Sequence, residues 1–137
     1  MTTEAPAAAP LPVDLAQLDD HELNSLYSEA GRILLERCQA ELPAAILEPI
    51  QEALDEDDDP RKPLRVVFTT TKWDNGYFWY PDGARVTLFD GKTQEIEEMD
   101  LSGADDILSD HVSYLVEPLD STDQLVVRFE PPSVYMR

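Results

Sequence analysis

Cysteine is nearly missing from this chain. Cys38 is alone among 137 residues, so no disulfide can close within the chain and a cysteine-rich metal site is excluded. Histidine is scarce too: His21 and His111 stand 90 residues apart. There are only five glycines, and none forms a phosphate-cradling loop. No nucleophile elbow and no helical zinc pair is present. No stretch approaches the ~20 apolar residues of a membrane span. Residues 1–12, MTTEAPAAAPLP, lack the basic and apolar regions of a secretory signal, which predicts a cytoplasmic protein. These absences leave no convergent set of nucleophile, base and oxyanion donor. The expectation is a protein that is not an enzyme and carries no cofactor and no metal.

Bases are short as well. Ten Lys and Arg face 29 Asp and Glu, for a formal net charge of -19. The imbalance is uneven. Residues 19–59 hold 13 acids against Arg32 and Arg37, a net of -11. Residues 60–92 carry +3 and residues 93–137 carry -9. Such a chain repels itself, and it is a poor ligand for nucleic acid or an anionic membrane, since both need cations to displace counterions. It suits a partner with a basic surface. Acidity that serves solubility alone is the competing explanation.

What is present reads as one domain. Residues 1–12 are Ala/Pro-rich and are expected to be a disordered tail, with residues 13–137 forming a single α+β domain. Asp19 or Asp20 can cap a helix, and Leu23, Leu26, Tyr27, Ala30, Ile33, Leu34, Cys38 and Leu42 recur at spacings of three and four. This predicts an amphipathic helix over about 20–41 that packs lengthwise on a sheet. Pro43 predicts the start of a second helix with Ile46, Leu47, Ile50 and Leu54, and Pro49 a kink or break within it. Asp55 to Asp59, closed by Pro60, reads as a solvated linker.

The period then changes. Leu64, Val66 and Phe68 alternate with Arg65, Val67 and Thr69 in a strand running to Thr71. Asp74-Asn75-Gly76, Pro81-Asp82-Gly83 and Asp90-Gly91 are turn signals between further strands at 77–80, 84–89 and 92–99. Ser102 can cap a helix bearing Ile107, Leu108, His111, Val112 and Leu115, ended by Pro118. Leu125 to Phe129 is a last strand, after which Pro131-Pro132 begins a tail. The predicted architecture is an N-terminal helical segment on an antiparallel meander of about four to five strands, with one further helix before the last strand.

The residues that could carry function are acids and aromatics. Glu22, Glu29, Glu36 and Glu41 fall roughly on one side of the long helix, and Asp57 and Asp58 continue the charge. With Leu64, Val66 and Phe68 facing the helices, the opposite sheet face takes Trp73, Tyr77, Trp79 and Arg85, residue types common in binding hot spots. His111 is expected to be buried and hydrogen-bonded, and Cys38 to be a core residue. In composition and element order the chain resembles small bacterial immunity proteins and antitoxins, and phage-encoded DNA mimics. The acidic helical surface is expected to occupy a basic, possibly nucleic-acid-binding, site on a partner protein, without binding nucleic acid itself, and the chain is expected to be a monomer or small homo-oligomer. The alternative is a structural or adaptor protein that oligomerises through its aromatic sheet face.

Overall fold

In the computed structural model, which describes residues 14–137, one long helix leads the fold. α1 spans Asp20–Glu56. A reciprocal capping box starts it. Asp19 Oδ1 accepts from the Glu22 backbone N–H at 2.8 Å, and Glu22 Oε1 accepts from that of Asp19 at 3.1 Å. Before it, a 3-10 turn, Leu15–Gln17, is capped by the Asp14 side chain. The expected tail at 1–12 lies outside the described residues.

The break expected at Pro43 does not occur, since both Pro43 and Pro49 lie inside α1. Each proline removes one backbone donor, a loss that costs ~3 kcal/mol or more in an isolated helix. Burial outweighs it: Leu42, Ile46, Ile50 and Leu54 are all buried in the hydrophobic core. The chain divides into two compact units, Met1–Ala30 and Gly31–Arg137, with the boundary inside α1. In the first unit Leu23, Leu26 and Tyr27 are exposed. The lengthwise packing predicted for the stripe from Leu23 to Leu42 is therefore corrected. α1 meets the core through Cys38 and the residues that follow it.

α1 ends in a Schellman-type turn. Asp58 takes the left-handed position, φ 51°, usually given to glycine. The Asp59 N–H reaches Leu54 O at 2.8 Å and the Asp58 N–H reaches Asp55 O at 3.2 Å. The expected linker at 55–59 is thus half helix and half cap. Asp59 is itself engaged, receiving the Arg61 guanidinium through Nε and the terminal nitrogen at 2.7–3.1 Å.

Seven strands follow: β1 Lys62–Phe68, β2 Thr70–Trp73, β3 Gly76–Trp79, β4 Ala84–Phe89, β5 Gln94–Met99, β6 Leu125–Phe129 and β7 Pro132–Met136. The main sheet has the order β5-β4-β1-β6-β7 with every neighbouring pair antiparallel. The α+β class is as the pattern predicts, with a helix packed on a five-stranded antiparallel sheet. β2 and β3 form a separate hairpin, turned at Asp74-Asn75 with Gly76 at φ 127°. β1 therefore pairs with β4 and not with its sequence neighbour. Two further details differ from expectation. A bulge between Pro63 and Arg65 leaves Leu64 half-buried while Pro63 is buried. The segment after Phe129 is an edge strand, not a tail, because proline is tolerated at the first position of an edge.

α2, Asp105–Tyr114, lies between β5 and β6 in the chain. Ser102 does not cap it. Ser102–Ala104 form a 3-10 turn, and the Ser102 N–H donates to Asp100 Oδ1 at 2.9 Å. The helix stops at Tyr114, before Pro118, where Leu115 turns to extended geometry. The core of the unit Gly31–Arg137 joins α1 and α2 to the inner faces of β1, β4 and β6, including Val66, Phe68, Val86, Leu88 and Val127. Among the described residues, no helix is long and apolar enough to cross a membrane.

Candidate functional site

A cleft lies within the unit Gly31–Arg137, between the β2–β3 hairpin and the turn leading into α2. Its volume is about 550 Å3, within the range of about 300–1,000 Å3 typical of ligand sites. Its aromatic walls are Trp73, Phe78, Trp79 and Tyr80, and Asp74, Asp82 and Asp105 supply its acids.

Local structure explains each wall. Thr71 opposes Phe78, and Trp73 opposes Gly76, across the hairpin. Glycine opposite Trp73 offers no side chain to cover the indole, which is 62% exposed. Tyr80 continues from β3, its N–H bonded to Thr69 O at 2.8 Å. Its ring lies close over Gly83, where a Cβ would come within 2.9 Å of Cε2. A hydrogen in place of a Cβ at Gly83 is what admits the ring.

The acids form a graded set. Desolvation is the main cause pushing the Asp82 carboxyl up from its ordinary value, with further contributions from Asp100, through charge and a side-chain hydrogen bond, and from Asp105. Asp100 moves the other way, because Ser102 donates to it. Asp105 and Asp106 occupy the first turn of α2, where helix N–H groups would otherwise attract an anion. Their charges complement the positive end of the helix dipole, and Asp105 also lines the cleft. Aromatic faces beside carboxylates are the composition that receives a guanidinium or ammonium group, through cation–π and charge-assisted contacts.

Trp79 is the cleft's fixed back wall. It was expected on an exposed face, but it is buried, at 2% exposure. Its indole N–H donates to His111 Nδ1 at 3.0 Å. The cause is topology: the hairpin leaves the main sheet, so Trp79 joins the core and Tyr77 packs against it. Since Nδ1 accepts, the proton of the neutral ring sits on Nε2, which faces Gln39 Nε2 at 3.4 Å, so a hydrogen bond there requires the carboxamide to turn its Oε1 toward the ring. Burial lowers the His111 pKa from 6.5 to about 4, so the ring is neutral at pH 7. Cys38 is buried as expected, its Sγ reaching Ile107 O at 3.8 Å. Desolvation, then Asp110 and Glu41, raise its pKa, which makes it a poor nucleophile.

The structure separates the other predicted site residues. Glu22 is committed to the capping box, and Glu36 pairs with Arg32. Glu29, Glu41, Asp57 and Asp58 are exposed. Arg85 lies on β4, in the main sheet, while Trp73 belongs to the hairpin. The proposed single face of Trp73, Tyr77, Trp79 and Arg85 is thus divided between two sheets and the core. The pattern missed Asp82 and Asp105, because a turn aspartate and a first-turn helix aspartate each have an ordinary local explanation. Only the fold brings them to one cleft. Among the described residues, no three His, Cys, Asp or Glu side chains are grouped to hold a metal ion. No family model, curated protein or solved structure matches the chain.

Proposed function

We propose that this is a non-enzymatic binding protein for a basic protein partner, and that the aromatic and acidic cleft anchors one Arg or Lys side chain of that partner. The observation that carries the reading is the cleft itself: Trp73 is exposed beside Asp82 and Asp105, which the partner's cation would neutralise. The net charge of -19 supplies the long-range attraction. Exposed carboxylates such as Glu41, Asp57 and Asp58 contribute to the field, and the cleft contributes the desolvated contact that slows dissociation. Occupying a basic site, as an inhibitor of the immunity-protein, antitoxin or DNA-mimic kind does, is the role this division of labour suits.

A self-association reading rests on a different feature. Leu26 and Tyr27 are 41% and 81% exposed on α1, so an assembly contact would use that helix and not the sheet aromatics.

The test uses a tetra-arginine peptide and its citrulline counterpart, which keeps the shape and removes the charge. Binding is followed by isothermal titration calorimetry at low and high salt. The arginine peptide is expected to bind at least tenfold more tightly than the citrulline one, with affinity falling as salt rises. Asp82→Asn and Trp73→Ala are each expected to weaken it at least tenfold. Equal binding of the two peptides, or variants that bind as the wild type does, would reject the reading.

A further inference from the structure

The outer face of the main sheet carries the opposite charge to the rest of the molecule. Arg65, Arg85, Arg128 and Arg137 are four of the chain's ten bases. Arg65 and Arg128 stand directly opposite each other across β1 and β6. Like charges in that position are destabilising. Among the described residues, none of the four enters an ion pair with a carboxylate. Glu98, the cross-strand neighbour of Arg85, does not pair with it. In a chain with 29 acids, four arginines left without carboxylate partners on one sheet face call for an explanation.

Three of them meet in a cleft of about 120 Å3, where Arg65, Arg85 and Arg137 line the walls with Thr87 and Gln124. That volume is below the range of drug-sized pockets and suits one small polyatomic group. The cleft is built on rigid backbone. Arg65 and Thr87 are register partners across β1 and β4, and Arg85 opposes Val67. Arg137 is tied by reciprocal backbone bonds to Gln124 at 2.8 and 3.0 Å. Its Nε also donates to Gln124 Oε1 at 2.8 Å, which fixes the guanidinium and leaves its terminal nitrogens to donate elsewhere. Planar guanidinium forks match the oxygen pairs of a carboxylate or phosphate.

We propose that Arg65, Arg85 and Arg137 form a binding site for a single oxyanion, the phosphate of a phosphomonoester or a carboxylate, on the open face of the sheet. The positive field there is felt by Tyr135. Its phenol is held below its ordinary value by a hydrogen bond from Arg128 and by the charges of Arg128, Arg137 and Arg65. An anion in the cleft would relieve the mutual repulsion of these arginines. It should therefore both bind and stabilise the fold.

The experiment titrates the full chain with inorganic phosphate, with acetate and with chloride at matched ionic strength. Backbone and arginine Nε signals are followed by NMR, and the melting temperature is recorded. Saturable shifts at Arg85, Thr87 and Gln124 are expected with phosphate, acetate or both, and not with chloride. Response to phosphate alone assigns a phosphate ligand, and response to acetate alone a carboxylate. Arg85→Gln, at an exposed position, is expected to weaken binding at least tenfold and to abolish the gain in melting temperature. Lys72→Gln, which removes the same charge from the hairpin, is expected to leave both within threefold. Shifts that grow linearly with anion concentration without saturating, equal shifts with chloride, or an Arg85→Gln variant that binds as the wild type would overturn the proposal. So would concentration-dependent self-association without added anion that Arg85→Gln abolishes, because a second copy would then fill the cleft.

Discussion

His111 shows at the scale of one residue how a plain position becomes a sensitive one. In the sequence it is a histidine on an apolar helical face, and the expectation of burial follows from Leu108 and Val112 beside it. Its bond to Trp79 could not be read, because the two lie on elements joined only by the fold. The consequence is a pH dependence. The unfolded chain takes up a proton near pH 6.5, whereas the folded ring resists until about pH 4. Stability from this residue is complete above about pH 6.5 and is lost as pH falls toward 4, by a total on the order of 3 kcal/mol. Relief of carboxylate repulsion acts in the opposite direction over the same range, so the variant must be compared with the wild type. His111→Gln is expected to flatten the fall in melting temperature between pH 6.5 and 4 relative to the wild type. Parallel curves would show that the histidine is not held neutral. Asp82 gives a second dependence at this scale. Its raised carboxyl must ionise before it can receive a cation, so binding of the arginine peptide should strengthen as pH rises through its titration. Asp82→Asn should flatten that rise relative to the wild type, read from affinities across pH 3–7, on the order of the carboxyl range, with the remaining rise left to the other carboxylates.

At the scale of elements, α1 explains what the sequence pattern could and could not convey. Counted at about 100° per residue, Leu23, Leu26, Tyr27, Ala30, Ile33 and Leu34 centre on a line roughly 160° around a helix from Cys38, Leu42, Ile46, Ile50 and Leu54. These are two stripes and not one. Spacings of three and four connect them smoothly, so local periodicity hides the change of face. Pro43 and Pro49 misled in the same way: their local preference is to stop a helix, and burial of the second stripe overrides it. Turn chemistry was more legible. Asp74-Asn75-Gly76 and Asp90-Gly91 act locally, with Asp90 Oδ1 accepting from the Lys92 and Thr93 N–H groups at 2.8 Å. Strand partners were not legible, since β1 skips the hairpin to pair with β4. The two stripes make a direct test by thermal melting. Ile50→Asp buries an unpaired charge and should abolish cooperative unfolding of the core. Leu26→Asp lies at an exposed position and should change stability by about 0.5 kcal/mol or less. Equal damage from both would mean that the first stripe is covered.

At the scale of the whole molecule, charge is sorted by surface. Acids crowd α1, its C-terminal turn and the β5 edge, where Glu95, Glu97 and Glu98 are exposed and discourage edge-to-edge pairing. Arg61 holds Glu97 at 2.5 Å and so ties that edge to the end of α1 through Asp59. Arginines gather on the outer sheet face, and the aromatic and acidic cleft lies apart, beside the hairpin. Net charge was legible from composition, and this sorting was not, because it depends on which strands become neighbours. Reversing Glu41, Asp57 and Asp58 to lysine should slow association with a basic partner by about tenfold, with little change in melting temperature, since exposed carboxylates add little to folding. Stopped-flow measurement of the association rate checks this. Whether the aromatic and acidic cleft anchors a cation is decided by mapping where a lone cation binds. Blocked arginine, N-acetyl-arginine amide, is titrated into the isotopically labelled chain and backbone shifts are read residue by residue. Saturable shifts centred on Trp73, Phe78, Asp82 and Asp105 are expected, lost in Asp82→Asn. Shifts spread over Glu36, Glu41, Asp57 and Asp58 that leave the cleft unchanged would contradict it.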